Sequence, residues 1–339
     1  MTSAKTVAFS GNCTNVFLHI LTQCNLKCRH CYINPEQHGH TRLPLATMRA
    51  WLEAFSENSN RKNLIFLGGE PTLHPDLPDA IRHARQLNFG SITVDTNGYL
   101  FNDILEKVSP TEVDTFSFSL DGAARDTNDR IRGKGSFDTC LEGIRKAASR
   151  GFGTSLIYTV SSANLNQLEK MVPLLKELGI GRFFIQIIGL RGRSVNWESD
   201  NCSEGVLQVE RNQWLDTVPL VAQRIAENGI AVTYPRVFLK PDEKFECAGL
   251  VADNYFIFPN GRVYRCPLCE DFPVHSLMFE ENQLVAAAKL NEQDFFQLNI
   301  PEGCVMNKLI QPHNLRYRND GTPEYKIACC LLKEEVRME

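Results

Sequence analysis

What this chain lacks narrows its role first. Its 36 basic and 40 acidic residues are mixed along 339 positions to a net charge of −4, with no lysine- or arginine-rich run of the kind that follows a phosphate backbone. No apolar stretch approaches the length of a bilayer crossing. The N-terminus, Met1-Thr2-Ser3-Ala4-Lys5, has no apolar core of a secretory signal. These absences argue against nucleic-acid and membrane partners and point to a cytoplasmic protein. Hydrophobic content is an ordinary 43%, so a large core is expected, with length for one large unit and a smaller appendage.

Cysteine is not scarce. Twelve of them in a cytosolic chain argue for metal and not for disulfides. Cys13, Cys140 and Cys202 have no cysteine neighbours and read as small buried apolar residues. Three others stand together in Cys24-Asn25-Leu26-Lys27-Cys28-Arg29-His30-Cys31, directly after the apolar, β-rich run Val16-Phe17-Leu18-His19-Ile20-Leu21. Three thiolates on one loop at a strand end can hold three corners of a cubane 4Fe–4S cluster and leave the fourth open. An open metal position marks a site that binds something. A structural zinc site normally brings paired cysteines and four ligands, which this triplet fits poorly.

Strand and helix patterns then alternate six times. Apolar strand segments lie at 64–67, 91–95, 115–120, 155–160 and 183–188, with helices near 45–55, 77–87, 137–149 and 168–178, the last with Pro173 as a candidate kink. That alternation implies parallel strands with right-handed crossovers, in which chemistry sits at the C-terminal strand ends. The second strand ends in Gly68-Gly69-Glu70-Pro71, where glycines permit close backbone approach and a glutamate can accept from an ammonium. An ordinary glycine-rich turn is the alternative. The third strand ends in Asp95-Thr96-Asn97-Gly98 and the fourth in Ser119-Leu120-Asp121-Gly122. The polar loop with His38 and His40 reads as solvated.

The cysteine spacing with His30 before the third cysteine, followed one strand later by Gly-Gly-Glu-Pro, resembles the radical S-adenosylmethionine (radical SAM) enzymes over 15–188. The resemblance implies an α/β fold, a partial (β/α)6 TIM-like barrel. It implies that Cys24, Cys28 and Cys31 ligate a 4Fe–4S cluster whose open iron binds S-adenosylmethionine, and that reduction by a flavodoxin- or ferredoxin-type donor releases a 5′-deoxyadenosyl radical. By the same resemblance His30 lies at the cofactor, Gly68, Gly69 and Glu70 hold the methionine amino group, and Ser119, Thr96 and Asn97 serve ribose or carboxylate. Arg132, in what resembles a loop at 128–133, would take the methionine carboxylate in preference to Arg130. Gly189 and Leu190, with Ile187 and Ile188, would lie against adenine. Core packing explains these apolar residues equally well, and Arg191 and Arg193 could meet an anionic substrate or solvent.

After a polar linker at about 194–210 comes an amphipathic helix bearing Trp214, Val218, Val221 and Ile225, then a strand at 230–233. Cys247 is followed by two β-like runs joined through Pro259-Asn260-Gly261, a hairpin signal that ends at Cys266. This resembles the auxiliary-cluster extension called SPASM, or Twitch in its one-cluster form, and implies a second 4Fe–4S cluster in a small Cys-rich α+β extension. Cys247 and Cys266 are its firmest ligands, then Cys304 and Cys269, with Cys329 or Cys330 as substitutes. A zinc site from the same thiolates is the alternative. Neighbouring residues of an extended segment point opposite ways, so only one of Cys329 and Cys330 is expected to face a site. The expected layout is an N-terminal segment 1–14, a core 15–193, a linker and bridging helix 194–240, and the extension 241–339.

An auxiliary cluster makes oxidation of a small natural-product or metabolite precursor the leading expectation. Peptide maturation stands second, since only about two dozen residues precede the cluster loop and leave no room for a leader-gripping module. Epimerisation would need a thiol donor, for which Cys202 is the candidate. A non-catalytic iron–sulfur or zinc carrier would have no use for the turn at 68–71.

Overall fold

The computed structural model describes residues 5–7, 13–56, 61–195, 207–287 and 290–338. Cys202 and much of the 194–210 linker lie outside them. Successive parallel strands β2 (Cys13–Leu21), β3 (Arg61–Gly68), β4 (Ser91–Thr96), β5 (Thr115–Ser119), β6 (Gly153–Val160) and β7 (Arg182–Ile187) form the expected six, each paired with the next. Alternate residues Val16, Leu18, Leu64, Phe66, Ile92, Val94, Phe116, Phe118, Leu156 and Phe183 are fully buried under the helices. The opposite face keeps partly exposed Thr93, Asp95, Ser119 and Thr159, so the concave side is polar. This alternation departs from the continuous apolar strands of a sheet covered on both faces.

The helices bury the positions their spacing assigned: Met48, Trp51 and Leu52 on Leu45–Glu53, and Leu141 and Ile144 on Ser136–Ser149. Two expectations need correction. The helix near Pro173 begins only at Met171 and ends at Glu177. Pro173 therefore sits in its first turn, where a missing N–H costs nothing, and no kink results. The segment 128–133 is not a loop; it closes the helix Arg125–Arg132, which ends at Gly133 with φ +120°.

The sheet runs beyond six strands. The helix Arg211–Ala226 leads to β8 (Ala231–Pro235), parallel to β7. On the other side β10 (Asp253–Ile257) lies parallel to β2, and β11 (Arg262–Tyr264), β12 (Leu277–Glu280) and β13 (Gln283–Ala286) follow antiparallel. β15 (Lys333–Val336) and β1 (Lys5–Val7) extend the β8 edge, while β9 (Phe238–Leu239) and β14 (Lys326–Ile327) pair separately. The thirteen strands form one open sheet with β1 and β13 at its ends. The cysteine-rich extension is thus continuous with the barrel. Among the described residues no helix is long and apolar enough to cross a membrane.

Candidate active site

The loop that carries Cys24, Cys28 and Cys31 leaves the C-terminal end of β2 and is tied to the end of β3. Gly69 N donates to Leu21 O at 2.9 Å and Glu70 N to Gln23 O at 3.0 Å. A Cβ on Gly68 or Gly69 would stand 2.1 Å from Leu21 O or Gln23 O. Both glycines are therefore needed for this backbone approach, and Gly68 also adopts φ +139°. Burial pushes the Cys24 thiol up to about 11, with Glu70, Cys28 and Cys31 adding to it. Burial also raises Cys28, and Cys31 adds to that shift. A cation would favour the thiolates of Cys24 and Cys28 against this burial.

Glu70 is fully buried. Its Oε1 accepts from Thr72 N at 3.1 Å, Thr72 Oγ1 at 2.6 Å and Thr96 Oγ1 at 2.9 Å. Its Oε2 accepts from Asn97 N at 2.7 Å. Thr96 and Asn97 thus hold Glu70, and Asn97 Nδ2 also reaches Asn25 Oδ1 on the cysteine loop at 2.8 Å. Oε2, with this one donor, keeps acceptor capacity for a further group.

Arg132 has a partner that its spacing did not reveal. Its guanidinium meets Asp121 Oδ2 at 2.6 Å, and His30 Nε2 meets the same oxygen at 3.0 Å. Asp121 Oδ1 accepts from Thr159 N at 2.7 Å. Burial alone would raise this carboxyl, but Arg132 and His30 outweigh it and hold Asp121 down to about 2. The Cys28 thiol lies 3.7 Å from Arg132 O, and Arg29 N donates to Ile131 O at 2.9 Å. Asp121 therefore braces the cysteine loop through two side chains; the Leu-Asp-Gly at the strand end was the signal for it. Arg130 is exposed and donates to Ala163 O at 3.3 Å. His30 Nδ1 is buried and has no hydrogen-bond partner among the described residues. Such an atom beside three thiols fits a site built to receive another polar group.

Below this rim the concave face holds Asp95, Ser117 and Ser119. Burial pushes the Asp95 carboxyl up to about 7, Glu70 adds to this, and a Ser117 hydrogen bond opposes it. Tyr32, one residue past the third cysteine, also feels the Asp95 charge. A native carboxyl at about 7 against an unfolded one at 3.8 binds more protons in the folded state between those values. Stability contributed by this group is therefore present at low pH and lost as pH rises through 7. Asp95→Asn is expected to leave the melting temperature unchanged near pH 4 and to raise stability by about 2–4 kcal/mol at pH 8. Thermal unfolding of the two proteins across that range checks it; a gain that is largest at low pH would contradict it.

His38 is fully buried and not solvated, a further correction. Its ring stacks on Phe258 at 4.2 Å and its Nε2 lies 3.1 Å from Glu270 O. Burial first, then Arg191 and Arg262, lower it to about 3, so it is neutral. His19 stacks on the other side of Phe258 at 4.0 Å and meets Tyr32 Oη at 3.0 Å. His40 is exposed as expected. Arg191 is not free for a substrate anion, because it pairs with Glu270 and Asp271. Leu190 packs with Ile131, Ile188 and Leu207, and Gly189 lies against Ile310.

A second group of thiols lines a cavity of about 590 Å³: Cys247, Cys266, Cys304, Cys329 and Cys330. Cys247 and Cys304 each stand immediately before a short helix, Ala248–Val251 and Val305–Ile310. Cys269 does not line this cavity. It is fully buried and bonds with Cys266 and Glu292. Glu292, also fully buried, accepts from Arg265 N at 2.6 Å, Cys266 N at 3.0 Å and Ser276 Oγ at 2.7 Å. Both Cys329 and Cys330 face the cavity, against the alternation rule. The chain turns there, with Leu332 N donating to Cys329 O at 3.0 Å, so the segment is not extended. The hydrogen bond between the two thiols lowers that of Cys329 and raises that of Cys330. The described cysteines are all free thiols. Among the described residues no three His, Cys, Asp or Glu side chains are gathered around a single ion position.

Residues 18–175 match the family described as the radical SAM superfamily. The chain is 28% identical over 217 residues to an Fe-coproporphyrin III synthase of Methanosarcina barkeri, covering 63% of this chain and 53% of that protein. It is 29% identical over 166 residues to a probable GTP 3′,8-cyclase of Saccharolobus solfataricus, covering 48% and 53%. The chain thus spans about half the length of these curated relatives. In fold it resembles Streptococcus suis SuiB bound to S-adenosylmethionine, with a TM-score of 0.62 and 15% identity over 94% of this chain and 71% of that one. SuiB bound to precursor peptide SuiA gives 0.61 and 16% over 96% and 71%. Native anSMEcpe with bound AdoMet gives 0.58 and 12% over 85% and 81%. The cysteine loop and the Gly-Gly-Glu turn both fall within residues 18–175, the segment that carries the radical SAM domain.

Proposed function

We propose that this chain is an oxidoreductase that abstracts hydrogen from a small natural-product or metabolite precursor and passes the remaining electron to a second 4Fe–4S cluster. The observation that carries this reading is the five-thiol cavity in the extension. A reduced cluster with bound S-adenosylmethionine supplies one-electron cleavage to a 5′-deoxyadenosyl radical. Cys24, Cys28 and Cys31 would hold the first cluster, and the spare capacity of Glu70 Oε2 would take the methionine ammonium. Arg132 Nε pairs with Asp121 and positions the loop, and the remaining guanidinium N–H groups would take the methionine carboxylate. His30 Nδ1 would bond the nucleoside. Asp95, Ser117 and Ser119 would face the substrate. Cys247, Cys266, Cys304 and Cys329 would hold the second cluster in residues 241–339. A flavodoxin- or ferredoxin-type protein of the cytoplasm would supply the electron.

Peptide maturation is the second reading. It is supported by the likeness in fold to a protein solved with its precursor peptide.

Anaerobic reconstitution tests the proposal. About eight irons per chain are expected, and reduction with S-adenosylmethionine should release 5′-deoxyadenosine. About four irons, or release of no 5′-deoxyadenosine, would refute it. Deuterium carried from labelled candidate substrates into 5′-deoxyadenosine would separate small molecules from peptides.

A further inference from the structure

The loop after β7, residues 188–193, is bonded to three separate segments, and each of them carries cysteines. At its far end Arg193 N donates to Cys31 O at 3.0 Å. Gly192, at φ +54°, approaches so closely that a Cβ would stand 2.4 Å from that same oxygen. At its near end Gln311 Nε2 donates to Ile188 O at 2.6 Å and Leu190 N to Ile310 O at 2.9 Å. Between them a Cβ on Gly189 would stand 2.3 Å from Ile310 Cδ1. Ile310 ends the helix that begins next to Cys304. In the middle, Arg191 Nη1 donates to Pro267 O at 2.9 Å, between Cys266 and Cys269. Its guanidinium pairs with Glu270, meets Asp271 Oδ2 at 3.1 Å and lies 4.9 Å from the centre of the Tyr32 ring.

Close packing leaves such a loop no independent freedom. A shift of the 266–269 or 304–310 segment must move it, and it touches Cys31 directly. The helix Val305–Ile310 spans about 9 Å at 1.5 Å per residue, so the connection from Cys304 is short and stiff. Arg191 is the side chain that joins the two halves, because it reaches both the Cys266 segment and the ring next to Cys31. Its planar fork meets three acceptors at once, which a point charge cannot reproduce.

We propose that residues 188–193 couple the two thiol sites, with Arg191 as the positioning residue, so that loading the second site tightens S-adenosylmethionine binding at the first. This rests on the second-cluster reading above. Coupling of this kind is reciprocal and typically worth between 5- and 150-fold, of which about tenfold is expected here.

The test uses the anaerobically reconstituted full chain with S-adenosylmethionine as the probe. Binding is measured by equilibrium dialysis and by the change it makes in the electron paramagnetic resonance line of the reduced first cluster. Arg191→Met and, from the other end of the contact, Asp271→Asn should each raise Kd about tenfold while iron stays at about eight per chain. Cys304→Ser should hold about four irons and raise Kd by a similar factor. The double variant Arg191→Met/Cys304→Ser should bind no more weakly than Cys304→Ser alone. An unchanged Kd in Arg191→Met and Asp271→Asn at full iron would overturn the coupling and leave the second cluster standing. So would multiplying effects in the double variant. About four irons in the parent protein would overturn the second-cluster reading and the coupling with it.

Discussion

Asp121→Ala is expected to destabilise the protein by about 3–5 kcal/mol, because it strands the Arg132 guanidinium in the interior. Arg132 and Asp121 are both buried, at 8% and 0% exposure, so water cannot take the place of the lost partner. The same change frees His30 and removes the acceptor for Thr159 N. A drop of roughly 4–7 °C in the melting temperature follows from that cost. Reconstitution should also leave less iron on the first site, since Asp121 holds His30 of the cysteine loop and Arg132, whose backbone O lies against Cys28. The pH dependence has a definite sign. Asp121 is depressed from 3.8 to about 2, so its contribution is present above about pH 4 and disappears as pH falls through 2. At pH 7 the full effect of Asp121→Ala should be seen. Asp121→Asn, which keeps an acceptor in place, should cost less. A variant that melts within 2 °C of the parent and binds its full iron would show that the loop does not depend on this carboxylate.

Local features were legible in the sequence because they are set by neighbours along the chain. The cysteine spacing, the Gly-Gly-Glu turn, the six strands and the hairpin at Pro259-Asn260-Gly261 all belong to this class. What was not legible depends on partners that only the fold brings together. Arg132 looks free on its helix until Asp121 is packed beneath it from the end of β5. Cys269 has the spacing of a ligand, yet it does not line the cavity that Cys266 enters. His38 lies in a polar stretch yet is drawn inside by Phe258 and a backbone carbonyl. The pairing of β10 with β2 joins residues some 240 positions apart, and no periodicity reports that.

The cavity lining ranks the thiols that would hold the proposed second cluster. Cys329 is the one sulfur that bears on Cys247, Cys266 and Cys304 alike. Cys330 bears on Cys266 and Cys304, and stands one residue away. Cys269 also bears on Cys266 and meets Cys304, but it does not line the cavity. Cys269→Ser is therefore expected to keep about eight irons per chain, although spacing alone would make it a ligand. Cys329→Ser should lose only part of the proposed second cluster. Cys330 is near enough to substitute, so the double variant Cys329→Ser/Cys330→Ser should fall cleanly to about four. The first cluster serves as the internal standard, because its three cysteines lie on a different loop and its spectrum should not change. Iron analysis with Mössbauer or paramagnetic resonance spectra separates the cases without any substrate. If Cys269→Ser lost half its iron while the double variant kept all of it, the cavity would be an empty pocket and the cluster would lie instead on the Glu292 side of Cys266.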